Sequence, residues 1–204
     1  FEFIQKPFSS ERLINFTNRA VENINLKKEK HVLESKLFHS YDIIGQSQSI
    51  EKVKSLIGKL SNTESRIFIS GPAGSGKELV ARQIHKQSSR SRKPFVVVTG
   101  ALLDPQKYEQ ELFGSENVND TINYGFFEKA KDGTLLIDEV SEIPLETQAK
   151  ILRVLIDQKF KRVNGSKEIN VNVRIISTSN KNIREEIDKG NFREDLYHRL
   201  NVVS

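Results

Sequence analysis

The sequence predicts an α/β fold with a mostly parallel sheet covered by helices on both faces. Three observations carry that reading. Short apolar or β-branched runs alternate with stretches of helical periodicity, a glycine-rich loop joins one such run to a helix, and another run ends in two acids. The composition allows it: of 204 residues, 36% are apolar and 29% charged, enough for a core beneath a solvated surface. No run approaches the ~18 apolar residues of a membrane-spanning helix. The chain has no cysteine, which excludes disulfides and thiolate metal sites. Its 32 basic and 27 acidic residues are well mixed, the pattern of a solvated surface rather than of a nucleic-acid patch. Met is absent and residue 1 is Phe, so the sequence is expected to be part of a longer chain.

Along the chain, Phe1 to Ile4 reads as the end of a strand, broken at Lys6-Pro7. Ser9-Ser10-Glu11 opens a helix on which Leu13, Phe16, Ala20, Val21 and Ile24 recur at helical spacing, continuing through a charged run to Phe38. Tyr41-Asp42-Ile43-Ile44-Gly45 reads as a domain entrance. From there the expected order is helix 47–60, strand 66–70, glycine loop, helix to 88, strand 95–99, helix 106–113, strand 134–138 and helix 145–157. Asn164-Gly165 between 159–163 and 167–171 is a strong hairpin signal. A strand at 173–177 and helices at 182–189 and 192–200 complete the series.

The chemistry gathers at two strand ends. Gly71-Pro72-Ala73-Gly74-Ser75-Gly76-Lys77 fits G-x-x-x-x-G-K between a strand and a helix, the context that makes the pattern informative. Glycines let backbone N–H groups turn inward around phosphate oxygens, and the helix start adds its positive end. Lys77 is placed to reach the β- and γ-phosphates. Set against an ordinary glycine turn, nucleotide binding is the better reading. The position after the lysine usually carries Ser or Thr for magnesium; here it is Glu78, so the metal falls to another ligand or to Glu78 through water. Asp138 and Glu139, at the end of Thr134-Leu135-Leu136-Ile137, supply it: Asp138 to hold magnesium and Glu139 to polarise water for attack on the γ-phosphate. An acidic strand end alone would be a solvated edge; downstream of a phosphate loop it reads as catalytic. The four histidines have no metal-ligand spacing and read as structural or surface residues.

Gly76-Lys77-Glu78-Leu79-Val80-Ala81-Arg82, Glu111-Leu112-Phe113-Gly114, the run from Gly133 to Glu139, Leu152-Arg153-Val154-Leu155 and the run from Phe192 to Leu200 resemble the AAA+ ATPase domain of NtrC-type response regulators. The resemblance implies an AAA+ P-loop three-layer core with a mostly parallel sheet at 42–204, preceded by a long linker helix at 24–41. Phe3-Ile4-Gln5-Lys6-Pro7-Phe8 resembles the last strand and loop of a phosphoacceptor receiver, which makes 1–23 a receiver tail. It further implies ATP and Mg2+ as cofactors, with Ser179 and Asn180 sensing the γ-phosphate and Arg193 and Arg199 acting as fingers on a neighbouring subunit. Without the resemblance, either arginine reads as a helix-surface ion pair with Glu194, Asp195 or another acid. The implied partners are a second copy through receiver and linker, a ring through the AAA+ unit, and a cognate sensor histidine kinase. DNA contact is expected only through a C-terminal domain outside this sequence, with no membrane role and a cytoplasmic location.

Three departures qualify the activity. Thr99 stands where the family has an Asn that restrains the catalytic Glu. The helical lid, with its sensor arginine, and the helix-turn-helix lie outside the sequence. Residues 115–124 are polar, shorter than the family's loop, and lack the Gly-Ala-Phe-Thr-Gly-Ala that contacts sigma-54, a pattern that suits the NtrX-like branch. The leading expectation is therefore an ATP-binding core of a transcription regulator that does not activate sigma-54, with very weak ATPase activity in this piece. The rival is a nucleotide-binding oligomerisation module with little or no turnover. An unfoldase or clamp loader is disfavoured by the receiver tail and by Glu78.

Overall fold

Four short runs form one parallel sheet: β1 (Ile67–Ser70), β2 (Phe95–Thr99), β5 (Thr134–Asp138) and β8 (Arg174–Ser179), in the order β1-β8-β5-β2. The computed structural model describes residues 42–103, 107–116 and 122–203; the expected receiver tail and linker helix lie outside them. β5 and β8 are central and almost wholly buried because helices cover both their faces, β5 through its apolar Leu135-Leu136-Ile137 and β8 through Ile175 and Ile176 followed by buried Ser177, Thr178 and Ser179. Beyond β1, the Phe68 N–H donates to the Val203 carbonyl at 3.0 Å, so the chain returns to the sheet beside β1.

Alternation along the strands divides the core in two. On one face Ile67, Leu136 and Ile176 pack against Ile57 and Leu60 of α1 (Gln48–Ser61) and Ala81 and Ile84 of α2 (Lys77–Lys86). On the other, Leu135, Ile137 and Ile175 pack against Ile151 and Val154 of α5 (Leu145–Asp157) and Leu196 and Leu200 of α7 (Glu194–Leu200). Residues Ile43–Ser204 form a single unit by their contacts. α1 begins where the Ser47 side chain accepts from the Ile50 N–H, with Glu51 in its first turn and Lys59 in its last, each complementing the helix dipole. Among the described residues no helix is long and apolar enough to cross a membrane.

Two smaller ribbons leave the sheet. β6 (Lys159–Lys161) and β7 (Glu168–Asn170) form the expected hairpin, with Asn164 left-handed at φ 62°. β3 (Ser115–Glu116) and β4 (Ile122–Asn123) pair antiparallel between α3 (Tyr108–Phe113) and α4 (Phe126–Lys129), a ribbon that the polar sequence there does not announce. The two ribbons touch: the Glu116 N–H donates to Val163 and the Val163 N–H to Gly114, both at 3.0 Å. α6 (Ile183–Asp188) follows β8, capped by the Asn182 side chain.

Candidate functional site

The phosphate loop leaves β1 and enters α2 with Gly74 at φ 75° and Gly76 at φ 86°, conformations that glycine adopts without a Cβ penalty. A Cβ built on either would meet open space, so these glycines serve backbone direction rather than tight packing. Gly76 caps α2 with no side-chain hydrogen bond, which leaves the first N–H groups of the helix available to an anion. The base of the loop is tied to β8, where the Gly71 N–H donates to the Ser179 carbonyl at 3.2 Å.

Lys77 is only 8% exposed. Its Nζ donates to the carbonyls of Gly71 (3.0 Å) and Pro72 (3.2 Å) and lies 3.3 Å from Glu139 Oε1. Glu139 is left-handed at φ 53°, ψ 55°, and its Oε2 accepts the Asn180 N–H at 2.8 Å. The adjacent acid, Asp138, accepts from the Thr178 hydroxyl at 2.6 Å. Gly100 follows β2 closely: a Cβ there would fall 2.6 Å from the Glu139 carbonyl, so this turn requires the missing side chain. Lys77, Asp138, Glu139 and Asn180 thus converge at the carboxyl ends of β1, β8 and β5, the edge where open α/β sheets bind ligands.

Other expected residues fall differently. Glu78 is turned along its own helix onto Arg82, with Oε1 2.7 Å from Nε and 2.6 Å from Nη2, so it faces a cation. Ser179 is fully buried, its hydroxyl engaged with Ser141 at 3.1 Å and with the Lys181 backbone; it serves the loop through its carbonyl. Arg193 forks Asp195 at 3.0 and 2.8 Å; these hydrogen bonds hold the Asp195 carboxyl below its ordinary range. Arg199 reaches the Leu155 carbonyl at 3.4 Å and is exposed. Within one chain the two arginines therefore pair away from the phosphate loop. Thr99 stands in register with Asp138, while the Glu139 carboxylate is held by Lys77 and the Asn180 amide. Beyond Asn180, Lys181 meets Glu142 at 2.8 Å, and that hydrogen bond raises its pKa.

Sequence reasoning misses Thr178. Its only signal is its place in Ser177-Thr178-Ser179-Asn180 beside a strand that ends in Asp-Glu, and its role depends on β8 lying next to β5.

Comparison with known proteins agrees with this geometry. The family model described as the Sigma-54 interaction domain matches residues 43–204. The nitrogen assimilation regulatory protein NtrX of Azorhizobium caulinodans is 44% identical over 204 residues, covering all of this chain and 45% of that protein. A crystal structure of NtrX from Brucella abortus has a TM-score of 0.86 at 47% identity, covering all of this chain and 45% of that one. The same protein in complex with ATP has a TM-score of 0.80 at 46% identity, covering all of this chain and 46% of that one. The chain thus spans less than half the length of these relatives. With motif order, sheet topology and sequence identity in agreement, the chain belongs to the NtrC family of response regulators, in its NtrX-like branch, with an AAA+ sigma-54 interaction domain at residues 43–204.

Proposed function

We propose that residues 42–204 bind ATP with magnesium as the AAA+ core of a cytoplasmic two-component regulator, whose receiver tail is 1–23 and linker 24–41. One observation carries this reading: Lys77 and Glu139 pair at the start of α2, which no side chain caps, with Asp138 beside Glu139 at the end of β5. The Brucella abortus relative crystallised with ATP supports it. The loop amides and Lys77 take the phosphates. Asp138 would hold magnesium together with phosphate oxygens and water, the usual arrangement for that ion. The described residues hold no cluster of three or more His, Cys, Asp or Glu that would make an all-protein site. Bound magnesium supplies neutralisation of phosphate charge. Glu139 orients and polarises the attacking water, and Asn180 holds Glu139 in place. Arg193 and Arg199 act on the neighbouring subunit of a ring, after Arg193 exchanges Asp195 for phosphate. Dimerisation through receiver and linker, phosphorylation by a sensor kinase and DNA contact through a further domain complete the regulator. On full-length protein, Lys77→Ala should abolish ATP binding by calorimetry; unchanged affinity would overturn the reading.

The regulator does not open sigma-54 promoters. Residues 115–124 contain no glycine and no Phe, whereas a loop that packs on a partner needs an apolar tip on flexible flanks. A ligand moves a conformational equilibrium only through differential contacts, and this stretch offers few. ATP-dependent open complexes with sigma-54 holoenzyme at the protein's own binding site would contradict this. A second reading, an oligomerisation module with little turnover, is favoured by the Arg193–Asp195 pair and by Thr99. Turnover of the full-length protein, with and without receiver phosphorylation, separates the two.

A further inference from the structure

We propose that Thr178 is a positioning residue for the nucleotide and metal site: its hydroxyl aims the Asp138 carboxylate and holds the backbone of Glu139 in the turn that presents its side chain. This rests on the nucleotide reading above. Thr178 sits on β8, between the phosphate-loop strand β1 and the acidic strand β5. Leu136 and Ile176 are register partners on the face covered by α2. Two residues further along each strand, Asp138 and Thr178 emerge on that same face. The backbone ladder between the strands ends at Ile137 and Ser177, and the Thr178 side chain continues the connection.

The direction of the hydrogen bonds follows from their chemistry. The Glu139 N–H, 3.0 Å from Thr178 Oγ1, can only donate. The hydroxyl therefore accepts there and gives its single proton to Asp138 Oδ1, at the short distance of a charge-assisted bond. Thr178 is fully buried, so no water competes, and its branched Cβ limits rotation about χ1. One oxygen of Asp138 is thereby committed and the carboxylate plane fixed, which leaves the other oxygen for a ligand. The amide of Glu139 is held while the residue is left-handed, a conformation uncommon for a side-chain-bearing residue. Asn180 takes the Glu139 carboxylate, so Thr178 and Asn180 clasp that residue at its amide and at its side chain.

The test uses full-length wild type, Thr178→Val and Thr178→Ser. ATP is titrated calorimetrically with magnesium and with a chelator, and turnover is measured in parallel. In Thr178→Val the metal-free affinity should be little changed, while the metal-dependent gain in affinity and kcat each fall roughly ten- to hundred-fold, the usual effect of removing the partner of a ligating carboxylate. Thr178→Ser, which keeps the hydroxyl, should restore both. Wild-type metal dependence and kcat in Thr178→Val overturn the proposal, as does failure of Thr178→Ser to restore them. If wild type turns over no ATP, the metal-dependent affinity decides alone. If wild type binds no ATP at all, the nucleotide reading itself fails and takes this one with it. Should Thr178→Val not fold, hydrogen exchange at the wild-type Glu139 amide decides: protection supports the proposal, and exchange at the rate of an open loop refutes it.

Discussion

Replacing Arg162 by Met should destabilise the AAA+ unit more than any other single ion-pair change among the described residues. Arg162 lies just beyond β6, with a side chain 9% exposed. Its Nε and Nη2 fork Glu128 of α4 at 2.8 and 2.5 Å, and its Nη1 meets Glu116 of β3 at 2.8 Å. The guanidinium lies 5.3 Å from the centre of the Tyr124 ring. Glu128 above all, and then Glu116, hold that guanidinium in its charged form. Met keeps most of the apolar stem, so the loss is mainly electrostatic. It leaves the Glu128 carboxylate, 10% exposed, without its partner, whereas Glu116 at 29% can turn to water. Breaking a buried pair from one side costs about 3–5 kcal/mol, and the half-open Glu116 places this case near 3. At 2–4 °C per kcal/mol for a unit of this size, Tm should fall by about 10 °C. Scanning calorimetry of the full-length protein, read in the AAA+ transition, measures it. Adding Glu128→Gln to Arg162→Met removes the stranded charge and should recover a substantial part of the loss. A fall below about 1 kcal/mol, the value of an exposed pair, would refute the reasoning.

His85 is buried, with Nδ1 2.9 Å from Thr134 Oγ1, and burial pushes its pKa from 6.5 down to about 4. Because the folded state resists the proton, stability is fully present above pH 6.5 and falls as pH drops towards 4, by an amount on the order of 3 kcal/mol. His85→Gln should flatten that limb of a pH series of urea unfolding curves, and an unchanged slope would rule His85 out as its source. Glu139→Gln, which can still accept the Asn180 N–H, should keep ATP binding while turnover falls at least ~10²-fold in a phosphate-release assay. Gly133→Ala would place a Cβ 2.1 Å from the Pro94 carbonyl, which also accepts the Thr134 N–H at the start of β5. It should lower stability by roughly 1–3 kcal/mol in urea unfolding, and a neutral result would mean that the crossover loop yields freely.

Most of the sheet is legible in the sequence through short apolar and β-branched runs: the expected bounds of Phe95–Thr99 and Thr134–Asp138 match those observed, whereas β8 continues to Ser179, two residues past the expected 173–177, because its Ser-Thr-Ser end carries no apolar signal. Helices 145–157 and 47–60 are legible through their periodicity, and the β6–β7 hairpin through Asn164-Gly165. The β3–β4 ribbon is not. Two residues per strand carry no alternation to detect, and what holds them is Arg162, fixed to Glu116 and Glu128 across separations of 46 and 34 residues. A contact of that kind is set by where the β6–β7 hairpin packs, which no local window contains.

The same limit divides the site. Glycines and a lysine in a loop that must wrap an anion leave a local spacing, so residues 71–77 are readable from the sequence alone. Asp138 and Glu139 are readable because they end an apolar run. The groups that set their geometry are distant in sequence and modest in chemistry. Thr178 is 40 residues from Asp138 and 39 from Glu139, and the group that holds the Glu139 carboxylate is the backbone amide of Asn180, 41 residues away, which every non-proline residue possesses. Ser179 matches the family's sensor by position, yet strand alternation turns its side chain away from Asp138 and towards Ser141, while Thr178 faces the acid. A linear motif shows which residues are candidates for a phosphate site; the side of the sheet each one faces follows only when the register between β5 and β8 is known.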